Sequence, residues 1–253
     1  MRVADRLLAI TGFFLAVATA PALASGYGHG VFLTPVFGPA QFGVEVFTES
    51  VELDEIETEA IFSDGRRRDV NLDDVDRERA GVRFRFGSPE LSGLFVMFGE
   101  RMDYLRDEET SSIGIGLGVI GRPRLAEIDR EVWLVASYRG QLNSVFGEVD
   151  VPVFDARTGS FLGDQEEDFG YVELESEVGF GVEVNGLSGV LGVYATGIDG
   201  EVEIGSRELD LFGSNAGVFF NLGFEHPDSW FIADIRGIVG DVTGVAVSVG
   251  VKF

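Results

Sequence analysis

Cysteine is absent from the 253-residue sequence, and histidine is nearly so, with only His29 and His226. The lack of cysteine excludes disulfides, thiolate metal sites and thiol catalysis. Basic residues are also few, because 19 Lys and Arg stand against 43 Asp and Glu and give a formal net charge of −24. A chain this acidic repels the phosphate backbone, so we expect no nucleic-acid partner.

Long apolar runs are absent beyond the N-terminus. Residues 7–20 form one nearly unbroken apolar stretch, which is shorter than the roughly 20 residues that a membrane helix needs. Arg2 and Arg6 precede it and Ala22-Leu23-Ala24 follows it, a pattern typical of a secretory signal peptide. We therefore expect residues 1–24 to be a signal peptide, with a buried N-terminal helix as the alternative. No cysteine follows the expected cleavage site, which argues against a lipid-anchored lipoprotein.

What the sequence does contain is alternation. In the last nine residues every second side chain is apolar, and the side chains between them are small or charged. Successive residues of a strand face opposite sides, so this pattern predicts a strand with one apolar face. The apolar positions are Val245, Val247, Val249, Val251 and Phe253.

This C-terminal segment, which ends on Phe253, resembles the terminal strand that the barrel-assembly machinery recognises in outer-membrane proteins. Together with the expected signal peptide, the resemblance extends to small outer-membrane β-barrel proteins of Gram-negative bacteria, the porin-like and OmpA-type barrels. It implies that the five apolar residues act as an assembly signal, that the barrel-assembly machinery is a partner, and that the cell outer membrane is the location. Outer-membrane lipid and lipopolysaccharide would then surround the protein.

The same two-residue period recurs along the chain. Segments with it begin near Phe42, Val82, Leu94, Ile113, Val132, Val172, Leu187, Val218 and Phe231. With the terminal strand they predict an all-β fold, an antiparallel transmembrane β-barrel of about ten strands (8–12). Each segment is near the 9–11 residues that a tilted strand needs to cross a bilayer. We expect a periplasmic N-terminal segment at 25–40 and a single barrel domain at 41–253.

The connections between these segments alternate in length. Outer-membrane barrels have short periplasmic turns and longer outer loops. Counting back from Phe253, the predicted periplasmic connections are 225–229, 185–186, 121–130 and 88–90. The predicted outer loops are 237–241, 199–210, 141–168, 101–110 and 50–79, which are mostly the longer ones. Asn185-Gly186 has the composition of a two-residue hairpin turn.

Charged residues on the inner face follow from the same register, because lipid requires an apolar exterior. We predict that eleven of them point into the lumen: Glu45, Arg83, Arg85, Arg139, Glu173, Glu175, Glu177, Glu183, Asp234, Arg236 and Lys252. The ladder of Glu173, Glu175 and Glu177 has two interpretations. It is either a cation-selective constriction or a structural network paired with arginines on neighbouring strands.

Other candidate sites are weaker. Asp69, Asp73, Asp74, Asp76 and Glu78 supply the oxygen ligands that Ca²⁺ prefers, but their spacing matches no EF-hand, so we predict a solvated acidic loop and no metal or cofactor. Trp133 and Trp230 lie near predicted periplasmic strand ends, where aromatic rings favour the interface. We expect both to be belt residues.

Three functions remain open from sequence. The first is a narrow porin-like channel for small solutes or ions. The second is a non-conducting structural or adhesin-type barrel that acts through acidic surface loops on a partner that the sequence does not identify. The third, an enzyme, is the weakest, because neither histidine lies near the outer half of a strand. We predict no catalytic residues.

Overall fold

The computed structural model describes residues 41–61, 67–88, 90–105, 108–154, 157–158, 160–204, 207–226 and 228–253. The predicted signal peptide (1–24) and N-terminal segment (25–40), with His29, lie outside these residues. Among the residues described, no helix is long and apolar enough to span a bilayer.

Eleven strands make up the described chain. In order they are β1 (Gln41–Ile61), β2 (Arg67–Gly87), β3 (Ser92–Leu105), β4 (Glu108–Gly121), β5 (Arg124–Asp129), β6 (Val132–Phe154), β7 (Phe161–Val184), β8 (Leu187–Ile204), β9 (Arg207–Glu225), β10 (Phe231–Gly240) and β11 (Val242–Lys252).

Ten of these strands close into an antiparallel barrel, which confirms the predicted fold. Each pairs with its neighbour in sequence, except that β4 pairs with β6 across the short β5. β1 pairs with β11 and closes the ring. At that seam Phe253 donates its backbone N–H to the carbonyl oxygen of Phe42 at 2.8 Å. β5 pairs only with the start of β6 among the described strands and lies at the periplasmic rim.

The exterior of the barrel is apolar. Phe180, Leu191 and Phe220 are directly paired across β7, β8 and β9, and they are 61%, 67% and 49% exposed. A closed barrel satisfies every backbone group internally, and an apolar exterior is what hydrocarbon requires. The protein is therefore a transmembrane β-barrel of the outer membrane. Four of the five predicted assembly-signal residues, Val245, Val247, Val249 and Val251, lie on this outward face of β11, and Phe253, which directly follows the strand, is 78% exposed.

Aromatic rings gather at the periplasmic rim. The ring of Phe42 contacts those of Phe84, Phe86 and Phe253 at centroid distances of 6.2, 5.1 and 6.3 Å. Trp230, whose ring contacts that of Phe231 at 6.3 Å, is 68% exposed and faces outward, as a belt residue should. The same prediction is wrong for Trp133, whose ring packs against buried lumen side chains. It occupies an odd position on β6, and odd positions there face inward.

The strands extend much further outward than the sequence suggests. β1, β2, β6 and β7 each have 21 to 24 residues, about twice the membrane-crossing length. The predicted outer loops 50–79 and 141–168 are therefore mostly paired strand. Antiparallel pairing continues past the bilayer because it satisfies the backbone of both strands.

Inward and outward faces of β3 cannot be assigned from composition, since its centre is apolar on both. The structure places Leu94, Val96 and Phe98 in the lumen, each less than 5% exposed. Met97, between them, faces outward and is 47% exposed. The lumen thus contains apolar as well as charged side chains.

Two periplasmic connections differ in how they are built. Asn185 and Gly186 form the predicted tight turn, with φ values of 50° and 80°. The connection predicted at 121–130 is instead partly ordered as β5, and it sends Arg122 into the barrel, where its guanidinium donates to Ser188 at 2.5 Å.

Candidate functional site: the ionic lumen

The structure places all eleven sequence-predicted lumen residues inside the barrel. Glu45 and Glu173 are completely buried, and the others are largely shielded. Ten of them take part in side-chain ion pairs, namely Glu45, Arg83, Arg85, Arg139, Glu173, Glu175, Glu177, Glu183, Asp234 and Arg236. Glu183 pairs with Arg124 at 2.5 Å, and Lys252 donates to the carbonyl oxygen of His226 at 2.7 Å.

The centre of the lumen is a network around Glu173. Arg77 and Arg79 of β2 each approach one of its carboxylate oxygens at 2.7 Å. Because β2 and β7 are separated by three strands of the ring, these contacts cross the interior of the barrel. Arg79 also reaches Glu175 at 3.1 Å and Glu100 at 2.5 Å.

Amide side chains link this centre to the next charges. Asn143 donates to Glu173 at 3.1 Å and to Glu175 at 3.0 Å, and accepts from Gln141 at 2.6 Å. Gln141 in turn accepts from Arg139 at 2.9 Å. Charged groups are tolerated in a low-dielectric interior only when paired and hydrogen-bonded, and this chain supplies the hydrogen bonds.

Tyr171 ties the network to β3. Its hydroxyl accepts from Arg79 at 3.0 Å and donates to the carboxylate of Glu100. The Arg79 guanidinium also lies 4.7 Å from the centre of the Phe98 ring, within the range of a cation–π contact. Arg79 therefore lies within 4.0 Å of four carboxylates, those of Glu49, Glu100, Glu173 and Glu175, and it also contacts a phenol and an aromatic face.

A second group of charges lies nearer the periplasm. Glu45 pairs with Arg83 at 3.2 Å and more closely with Arg85. Arg85 also reaches Glu225, on the opposite side of the ring, at 3.1 Å. Arg122 enters from the periplasmic connection and lies 3.8 Å from Asp234.

Apolar side chains fill much of the remaining lumen. Leu53 and Val75 are directly paired on β1 and β2 and are 1% and 0% exposed. They lie in the lumen, between the central network and the outer end of the barrel. The Tyr194 hydroxyl reaches from β8 to the backbone of Val242 on β11 and donates to its carbonyl oxygen at 3.0 Å. The barrel is thus packed by ionic and apolar groups together.

Positive and negative charges are balanced inside the barrel, but the outer hairpin segments contain a large excess of negative charge. The described lumen and its periplasmic mouth contain nine basic and nine acidic side chains: Arg77, Arg79, Arg83, Arg85, Arg122, Arg124, Arg139, Arg236 and Lys252 against Glu45, Glu49, Glu100, Glu173, Glu175, Glu177, Glu183, Glu225 and Asp234. The outer hairpin segments 52–76, 101–110, 148–168 and 199–210 contain 26 acidic and seven basic residues. Most of the net charge of −24 therefore belongs to these four segments of the sequence.

Sequence reasoning missed several members of the network. Arg77 and Arg79 continue the inward odd-numbered register of Arg83 and Arg85, and Glu49 continues that of Glu45. Arg77 and Arg79 fall within the predicted outer loop 50–79, because that prediction matches strand length to bilayer thickness. Arg122 carries no strand signal, since it lies in a connection.

The other candidate sites from the sequence are His226 and the predicted acidic loop. His226 lies in the predicted periplasmic turn, where its Nδ1 accepts from the backbone N–H of Asp228 at 3.2 Å. Within the described part of the chain, no group of three or more potential ligands could hold a metal ion. The side chains of Asp69, Asp73 and Asp74 lie outside the described residues, so the acidic-loop prediction is untested there.

Neither the family models nor the curated proteins yield a match to this chain. Solved structures do align with it at low similarity. The β domain of the Bordetella autotransporter Brka is 10% identical, covers 85% of this chain and 99% of its own, and has a TM-score of 0.38. An outer-membrane channel from Pseudomonas putida F1 is 12% identical, covers 88% and 100%, and also has a TM-score of 0.38. The translocator domain of the autotransporter NalP from Neisseria meningitidis is 11% identical, covers 99% and 97%, and has a TM-score of 0.32.

Proposed function

We propose that this outer-membrane barrel is non-conducting and acts through the acidic hairpins at its outer end. The observation that carries the proposal is the Glu173 network, in which Arg77 and Arg79 reach across the lumen and leave the carboxylate with no exposed surface. A ten-strand barrel lies near the size at which side chains fill the interior. The lumen then serves as a rigid core.

Energetics favour a closed resting state. An ion crossing the lumen must separate Arg79 from the carboxylates of Glu100, Glu173 and Glu175. Breaking one partner from a buried ion pair costs about 3–5 kcal/mol. An ion would also have to displace Leu53 and Val75, which are buried in the lumen between these charges and the outer end of the barrel.

The outer hairpins then carry the function. Their excess of 19 negative charges over positive ones repels anionic lipopolysaccharide unless divalent cations lie between them, and it attracts cationic surfaces. We propose a surface or partner of positive charge as the target. The interaction should weaken with salt, because exposed charges are screened over about 8 Å at physiological ionic strength.

A binding experiment tests this role. Cells that display the full chain should adhere to polylysine-coated glass more than cells that display a variant whose residues 54–74 are replaced by Asn-Gly. The control neutralises the periplasmic acids Glu127, Asp129 and Glu131 and should not change adhesion. Equal adhesion of the full chain and the shortened variant, with both proteins folded and at equal surface density, would contradict the proposal.

A narrow channel for small solutes or ions is the second candidate. The observation that favours it is the cavity of about 50 Å³ at the periplasmic end of the lumen, which is lined by charged residues including Arg85, Glu225 and Asp234. Under this candidate the Glu173, Glu175 and Glu177 ladder selects cations. Neither candidate involves a catalytic residue, and we propose no enzymatic activity.

A further inference from the structure

The periplasmic end of the lumen contains a small cavity that the proposed function does not use. Its volume is about 50 Å³, several times the roughly 10–15 Å³ that one water molecule needs. Five arginines line it: Arg83, Arg85, Arg122, Arg139 and Arg236.

These guanidiniums outnumber the carboxylates around the same space. The acidic residues that line the cavity are Glu177, Glu225 and Asp234. The lining therefore has two more positive than negative groups, within a lumen that is balanced as a whole. Glu45 does not line the cavity but pairs directly with Arg83 and Arg85. Further negative charge lies deeper, where Arg77 and Arg79 face four carboxylates, those of Glu49, Glu100, Glu173 and Glu175.

Hydrogen-bond donors at the cavity are also left over. The Nε atoms of Arg83, Arg122, Arg139 and Arg236 are buried and have no hydrogen-bond partner among the described residues. Arg83, Arg139 and Arg236 are only 8%, 9% and 6% exposed. These Nε atoms have almost no water-accessible surface, so an acceptor in the cavity would reach them only if the arginine side chains shift.

The cavity is accessible from the periplasm. The side chains of Arg122, Glu225 and Asp234 retain 20%, 16% and 23% of their exposed surface, whereas Glu173 and Asn143, deeper in the lumen, have none. Arg122 comes from the β4–β5 connection and lies over the mouth, where it contacts Ser188 and Asn221 of β8 and β9. A solute of the right size reaches the five arginines without crossing the central network.

We propose that this cavity binds a small inorganic oxyanion, of the size and charge of phosphate, taken from the periplasm. Guanidinium groups match the geometry of phosphate oxygens and bind them through charge-assisted hydrogen bonds. The bound oxyanion would stabilise the periplasmic end of the barrel and hold Arg122 over the mouth of the cavity. Its binding does not depend on whether the barrel conducts.

Calorimetric titration of inorganic phosphate into the folded full-length protein, in lipid-free detergent and chloride-free buffer, tests the proposal. We expect saturable binding at one site per chain. Arg122→Gln should weaken it about tenfold or more, because a hydrogen bond to a charged group is lost. Asp234→Asn removes a lining carboxylate and should tighten it. Sulfate and chloride, titrated in the same way, show whether the site prefers oxyanions.

Arg130→Gln is the matched control, since Arg130 lies in the nearby β5–β6 turn and is exposed, and it does not line the cavity. It should bind phosphate as the wild type does. Each variant is first checked for the gel shift of a folded barrel before and after boiling. The proposal is overturned if the wild type shows no saturable binding. It is equally overturned if Arg122→Gln and Arg130→Gln lose the same affinity, which would indicate only a general attraction to positive charge.

Discussion

Arg77 of β2 and Glu173 of β7 meet at 2.7 Å across the lumen, although three strands separate them around the ring. The two residues are 96 positions apart in the chain. Such a contact forms only when the barrel is closed, so it reports the complete tertiary structure. It also shows that the charged interior consists of paired groups that hold opposite walls together.

Removing the centre of the network should destabilise the barrel strongly. Arg79→Met leaves Glu100, Glu173 and Glu175 short of a partner in the interior. We expect the free energy of unfolding to fall by about 3–5 kcal/mol. Urea unfolding in lipid vesicles, followed by the fluorescence of Trp133 and Trp230, measures the change.

Arg101→Met is the control for that experiment. Arg101 lies on β3 near the outer end and pairs with Asp103 at 3.5 Å, with both side chains about half exposed. Its loss should cost less than about 1 kcal/mol. Equal destabilisation by the two substitutions would mean that the lumen network contributes nothing specific.

The membrane-facing surface makes a second prediction. Leu191→Arg places a charge at a 67% exposed position between Phe180 and Phe220. A charge near the middle of the bilayer costs about 2–4 kcal/mol in a barrel of this kind, so vesicle unfolding should shift by that amount. Ile128→Arg has similar exposure, 61%, but lies on the periplasmic β5 and should be nearly neutral.

The β7–β8 turn makes a third prediction. Gly186 has a φ of 80°, and a Cβ there would lie 2.7 Å from the Cα of His226. Gly186→Val therefore introduces both strain and a backbone clash and should destabilise the barrel by more than about 1 kcal/mol. Asn185→Gly keeps a residue that accepts positive φ and should change unfolding by a few tenths of a kcal/mol. If both variants unfold like the wild type, the turn does not constrain the hairpin.

Strands with a polar and an apolar face were predictable from sequence, and those without were not. β11 and β7 alternate clearly, because lipid selects one face and the lumen selects the other. β3 does not, since Leu94, Val96 and Phe98 pack inside while Phe95 and Met97 face outward. Periodicity cannot distinguish two apolar faces; only the neighbouring strands determine which one is inward.

The candidate site was predictable only where its residues lie on strands with clear alternation. Register alone placed Glu173 and Glu175 on the face that the structure buries, but their partners depend on which strands oppose each other across the ring. Arg77 and Arg79 lie on the part of β2 that continues past the 9–11 residues needed to cross a bilayer, so a prediction based on that length leaves them out. Arg122 enters from a connection, where no periodicity applies. Pairing across a closed barrel is a property of strand number and stagger, which a single sequence does not encode locally.

The most direct test of the central claim, that side chains close the lumen, is single-channel recording of the folded full-length chain in a planar bilayer. The Glu173 network predicts a silent barrel: insertion without discrete conductance steps, for protein that shows the gel shift of a folded barrel. Discrete, cation-selective steps whose selectivity reverses when Glu173, Glu175 and Glu177 are replaced by lysine would contradict the claim and establish the narrow channel instead.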